Sequence, residues 1–93
     1  SEFELLGYKF KVLHTPGHTR GSVCYNYGNK VLSGDTLFKM SCGRTDFPTG
    51  NQSKMRESLK KIVSTYSDTF VVYPGHDEKT SIKEEKKYNP YIK

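Results

Sequence analysis

The chain has 93 residues, 33% of them hydrophobic, and 15 Lys and Arg against 10 Asp and Glu give a formal net charge of +5. That length suits one small domain with a modest core and argues against a second. No apolar run approaches the roughly 20 residues that cross a bilayer, no charged-then-apolar leader opens the chain, and the lysines of KEEKKYNPYIK are mixed with acids rather than gathered into a nucleic-acid stripe.

In chain order, FELLGYKFKVLHT predicts two extended runs punctuated at Gly7 and Tyr8. In the second, Tyr8, Phe10 and Val12 alternate with Lys9 and Lys11 as on a half-buried strand. HTPGHTRGS then sets His14 and His18 four residues apart, a spacing that on a helix would aim both rings at one metal ion. Pro16 lacks a backbone donor and pushes Thr15 toward extended backbone, while Gly17 suits a sharp turn, so the helix is not expected and the pair is split. His14 reads as a strand residue with one ring nitrogen hydrogen-bonded nearby, and His18 as the candidate ligand.

SVCYNYGNKVLSGD is a second hairpin, with Val23, Tyr25 and Tyr27 on one side and Gly28 and Asn29 at the turn. Val31 and Leu32 lead back to Ser33, Gly34 and Asp35. Residues 36–52 lack steady periodicity and read as a long loop, a feature that is usually functional in small domains. A helix from about Ser53 to Tyr66, capped by Ser53, buries Met55, Leu59, Ile62, Val63 and Tyr66 and turns Arg56, Glu57, Lys60 and Lys61 outward. Residues 69–73 predict a short buried strand ending at Pro74 and Gly75. A last helix, capped by Thr80 or Ser81, stops before Asn89 and Pro90, and its Glu84, Glu85, Lys86 and Lys87 fit a solvated face.

Cys24 and Cys42 form no CxxC pair and are too few for a disulfide framework, which points to a reduced, cytoplasmic setting. Cys24, inside an apolar alternation, reads as a buried thiol, and Cys42, in a Ser-Cys-Gly loop, as a candidate for lining a site. The elements add up to mixed sheet and helix with one helical layer and one sheet face uncovered, an arrangement that is unstable in water without a mate.

Three metal-binding residue types share a structural address. His18 follows a strand through Pro-Gly, Asp35 through Ser-Gly, and His76 through Pro-Gly. Glycine there lets the chain turn sharply and the backbone approach closely, so side chains from different strands can converge at one sheet edge. Two imidazoles and a carboxylate suit zinc, and the same set suits manganese or iron.

HTPGHTRGSVCY, LSGDTLF, GRTDFPTGN, YPGHDEKTS and the terminal EKKYNPYI, in that order, resemble the second half of a metallo-beta-lactamase-fold hydrolase of the glyoxalase II (hydroxyacylglutathione hydrolase) type, closest to the short bacterial form. The resemblance implies an α+β fold, half of an αββα sandwich, with one mostly antiparallel sheet and outer helices. Residues 1–93 would be the C-terminal part of a single such domain, its N-terminal half absent. It also implies two zinc ions in the complete enzyme, with His18 on the first, Asp35 bridging both and taking part in catalysis, and His76 on the second. The substrate would be a small-molecule thioester, whose thiol, with a pKa near 8.5, leaves without strong acid assistance.

The family's earlier HxHxDH segment does not occur here. Since a catalytic zinc usually takes three protein ligands, this chain alone would lack a full metal site and be inactive. The expected partners are the missing half, another chain or a second copy. Arg44 stands where longer relatives use a lysine toward glutathione, and Phe47 stands near a substrate-facing tyrosine, which makes both substrate-binding candidates. Asp77, Thr19 and Thr36 are each either supports for a neighbouring ligand or plain turn residues. The alternatives are a one-iron sulfur dioxygenase on the same fold, or a non-catalytic half-domain that acts only through assembly.

Overall fold

The computed structural model describes residues 2–46, 48–75 and 78–92. At the N-terminus the alternating pattern makes a hairpin of β1 (Glu2–Leu5) and β2 (Tyr8–His14), with Phe3 opposite Phe10. Its turn holds Leu6 and Gly7 at φ 52° and 84°, the handedness that matches strand twist. β3 (Val23–Tyr27) and β4 (Lys30–Gly34) form the second hairpin, as the sequence predicts.

The stretch read as loop contains a small separate ladder, β5 (Leu37–Phe38) and β6 (Ser41–Cys42), folded around Lys39 and Met40 with Met40 at φ 60°. Two-residue strands have no alternation to read, which is why periodicity misses them. Helix α1 (Gln52–Thr65) follows. Its cap is Asn51 rather than Ser53: Asn51 Oδ1 accepts the Lys54 N–H at 2.8 Å. β7 (Val71–Pro74) returns parallel to β4, β8 (Thr80–Ser81) pairs antiparallel with β7, and α2 (Ile82–Tyr88) runs from the Ser81 cap to Asn89. The main sheet therefore has the order β1-β2-β3-β4-β7-β8, antiparallel except at β4 and β7.

Cys24, Val31 and Val72 of the sheet pack against Met55, Leu59 and Ile62 of α1 and Ile82 of α2, all essentially inaccessible. The other sheet face carries Phe3, Tyr8, Tyr25, Tyr27, Leu32 and Tyr73, which remain exposed. Cross-strand pairing places these residues on one side, with Tyr25 opposite Leu32 and Leu32 opposite Tyr73. Phe3 stacks on Phe10 at 5.3 Å and meets Tyr25 edge-on at 5.5 Å. This is the α+β half-layer expected, a mostly antiparallel sheet with helices on one face and an aromatic surface on the other.

Glu85 departs from the solvated face predicted for it. It is fully buried: Oε1 accepts from the Met40 N–H at 2.9 Å and Asn89 Nδ2 at 2.8 Å, and Oε2 accepts from the Thr80 hydroxyl at 2.7 Å. Asn89 Nδ2 also donates to Ser41 O at 3.1 Å, so α2 is fastened to the β5–β6 turn. Asn89 thus acts in packing, while Glu85 is drawn inward by three donors that a charge pattern does not reveal.

Burial pushes the Cys24 thiol from its ordinary 9.0 up to about 11 and, aided by the nearby Cys24, the Tyr66 phenol from 10.0 up to about 12. Among the described residues the Tyr66 hydroxyl is buried without a hydrogen-bond partner. The unfolded chain releases both protons earlier than the folded chain, so their contribution to stability is complete below pH 9 and is lost as pH rises toward 12. Urea unfolding midpoints should accordingly drop between about pH 8 and about pH 10.5 in the wild type, and drop less in Cys24→Ala. Equal midpoints at the two pH values would count against this assignment.

Candidate metal centre

Three chain segments meet beyond the ends of β2, β4 and β6. The first, residues 15–22, closes at its base through the Thr15 N–H to Ser22 O bond at 2.9 Å. It is docked on α1, because Asn51 N–H donates to Gly17 O at 2.8 Å and Ser58 Oγ donates to Pro16 O at 2.7 Å. Gly17 combines φ 151° with α1 so near that a Cβ would lie 2.5 Å from Met55 Cα, so only glycine fits. The second segment turns at Gly34 and Asp35, closed by Thr36 N–H to Ser33 O at 3.0 Å. The third, Gly43 and Arg44, is held by Gly43 N–H to Thr36 O at 3.2 Å.

His18 Nδ1 lies 2.8 Å from Arg44 O. A carbonyl only accepts, so Nδ1 carries a proton, and in the neutral ring that leaves the lone pair on Nε2. Nε2 stands 3.6 Å from Asp35 Oδ2. That is longer than a hydrogen bond and close to the separation of two donor atoms each about 2.1 Å from one tetrahedral ion. The donor chemistry and spacing fit a divalent metal. Gly43 is the wedge between the two: a Cβ there would overlap Asp35 O and come within 3.2 Å of His18 Nδ1.

The third predicted ligand, His76, lies outside the described residues, as do Phe47 and Asp77. Gly75, the residue before His76 in the chain, donates its N–H to Gly34 O at 2.8 Å, which sets it beside the residue preceding Asp35. Among the described residues no group of three or more His, Cys, Asp or Glu side chains gathers to hold a metal.

His14 ends β2, its Nε2–H donates to Arg20 O at 2.9 Å, and the two histidines of HTPGH are separated by non-helical chain. Arg44 is a surface residue whose Nε and Nη2 grip Asp46 Oδ1 and Oδ2 at 3.0 and 2.9 Å. The Arg44 hydrogen bonds hold the Asp46 carboxyl below its usual range. A substrate carboxylate at Arg44 would have to compete with Asp46. Cys42 is half-buried against the core and lines a cleft of ≈ 260 Å³ with Arg44, Arg56 and Tyr91. Desolvation raises its pKa, so it is not a nucleophile of the kind a depressed thiol pKa would make. Sequence reasoning missed Gly43 and Thr15; the signal for the former was a glycine just before Arg44 in an otherwise polar loop.

The helix-backed mixed sheet is a metallo-hydrolase type of fold. Residues 1–76 match the metallo-beta-lactamase superfamily, and the chain belongs to it. ETHE1 from Myxococcus xanthus superposes with a TM-score of 0.91 at 45% identity, over 97% of this chain and 42% of that one. TTHA1623, solved in a di-iron-bound form, gives 0.84 at 38% identity, over 96% and 44%. Hydroxyacylglutathione hydrolase GloC of Haemophilus influenzae is 36% identical over 91 residues, 96% of this chain and 43% of its own length. The chain spans about 40% of the length of the first curated relatives it matches. Among the described residues no helix is long and apolar enough to cross a membrane.

Proposed function

We propose that the complete protein containing residues 1–93 is a metal-dependent thioester hydrolase of the hydroxyacylglutathione hydrolase kind. The observation that carries this reading is the approach of His18 Nε2 to Asp35 Oδ2 with the opposite ring nitrogen tied to Arg44 O. The likeness to the Haemophilus influenzae hydrolase supports the substrate class. His18, Asp35 and His76 would hold the metal, zinc by donor preference and iron or manganese with the same set. When bound, a divalent ion supplies Lewis acidity that polarises a carbonyl and makes water more acidic.

The chain's own residues prepare one part of that site. Arg44 O keeps the proton on Nδ1 and so presents Nε2 as a donor. Asp35 offers an anionic oxygen from a turn that is open to solvent. A departing thiol has a pKa near 8.5 and leaves as thiolate, so no acid needs to be placed beside it. Two or three donors do not complete a catalytic site. We therefore assign the open aromatic face to packing against the rest of the domain, supplied by the same protein or by a second chain.

The 45% identity to ETHE1 favours a second reading, a one-iron sulfur dioxygenase on this fold. One experiment separates the two. The purified complete protein is assayed for metal content, for thiol release from a hydroxyacylglutathione thioester, and for oxygen uptake with a glutathione persulfide. Thiol release that disappears with a chelator is expected. Oxygen uptake with no thiol release would replace the hydrolase reading by the dioxygenase.

A further inference from the structure

Thr15 and Thr36 are wholly inaccessible, and their hydroxyls meet at 3.2 Å. Cys24 Sγ lies 3.6 Å from Thr15 Oγ1 on the third side. Each threonine is already bound into its own loop by the main chain. Thr15 N–H goes to Ser22 O at the foot of the His18 loop, while Thr36 N–H goes to Ser33 O beside Asp35 and Thr36 O takes Gly43 N–H. The hydroxyl bond is thus a tie between two loops that are distant in sequence, at the feet of the segments that carry His18 and Asp35.

Packing alone does not call for hydroxyls here. Valine has nearly the shape of threonine, and a buried hydroxyl costs free energy unless it is bonded. What a hydroxyl pair adds is a contact of fixed length and direction, so the separation of the two loop feet is set rather than averaged. We propose that the Thr15–Thr36 bond is a positioning element that fixes the spacing of His18 and Asp35 and thereby the affinity of the site for its metal. This rests on the reading of those two residues as ligands.

The test uses the complete protein and three readouts: zinc affinity by competition with a chromophoric chelator, the visible spectrum of the cobalt-substituted form, and the unfolding midpoint without metal. Thr36→Val should lose affinity about tenfold, the lower end of what loss of a supporting contact does to metal sites. It should also shift the cobalt bands and lower the midpoint only modestly, because the Thr15 hydroxyl keeps its contact with Cys24 Sγ at 3.6 Å. Thr36→Ser should restore both affinity and spectrum. Thr15→Val should lose at least as much as Thr36→Val, since it also gives up the contact with Cys24 Sγ. The double variant should lie close to Thr15→Val rather than at the sum of the singles, because both singles remove the Thr15–Thr36 bond.

Wild-type affinity and spectrum in Thr36→Val would overturn the positioning role while leaving the metal reading intact. If Thr36→Val does not fold, Thr15→Val, which keeps every main-chain bond of Thr36, is measured in its place with the same two outcomes. Should the wild type bind no zinc, or His18→Ala and Asp35→Ala bind it as tightly as the wild type, the ligand reading falls and the positioning role falls with it.

Discussion

Alanine at Gly43 is expected to cost the complete protein at least about 100-fold in metal affinity, the upper range seen when a ligand's supporting contacts are lost. A Cβ at this position overlaps Asp35 O and lies 3.2 Å from His18 Nδ1. The first of these neighbours is main chain, which has no alternative rotamer to adopt. Either the Asp35 turn or the exit of β6 must therefore shift. A shift of Gly43 carries Arg44 O away from His18 Nδ1 and frees the ring to rotate. A shift of the turn moves the Asp35 carboxylate instead. Both routes break the facing arrangement, and the overpacking itself destabilises by about 1–3 kcal/mol. Chelator competition and urea unfolding measure the two effects separately. Wild-type affinity in a folded Gly43→Ala protein would show that the wedge is not needed to place the two side chains.

The same geometry explains what the sequence could and could not disclose. That His18 and Asp35 come near each other was legible because each follows a strand through a glycine turn, a local pattern that survives without knowledge of the fold. Both hairpins were legible from alternation and turn residues, and α1 from its stripe of Met55, Leu59 and Ile62. Gly43 and Thr15 were not, since their roles exist only where three segments distant in sequence come together. Asn51 and Ser53 are both good caps by chemistry, and the choice fell to Asn51 because the chain entering α1 is fixed by the Asn51 N–H to Gly17 O bond. The Arg44–Asp46 pair was not read from the sequence, although the two residues lie only two positions apart. Glu85 looked like one charge among four on a wet face, and it is the most enclosed of them.

That enclosure makes Glu85→Ala the second large effect. The side chain accepts three hydrogen bonds from three places: Met40 in the β5–β6 turn, Thr80 in β8 and Asn89 at the end of α2. Truncation leaves the partly buried Met40 N–H and the buried Thr80 hydroxyl without an acceptor, leaves the Asn89 amide with Ser41 O alone, and opens a cavity, and together these are expected to destabilise by about 3–5 kcal/mol. The damage should spread toward the metal centre. Met40 and Ser41 hold the small ladder to α2, and the same ladder leads directly into Gly43 and Arg44, whose carbonyl fixes the His18 ring. Glu85→Gln keeps the volume and one acceptor oxygen but turns an amide N–H₂ toward donors, so it should fall between wild type and Glu85→Ala. Urea midpoints give the order, and zinc affinity measured on the folded fraction shows whether the ladder transmits the loss. A stability for Glu85→Ala within about 0.5 kcal/mol of wild type, the range of ordinary surface changes, would mean that α2 is held by its apolar contacts alone and that the carboxylate does not fasten it to the site.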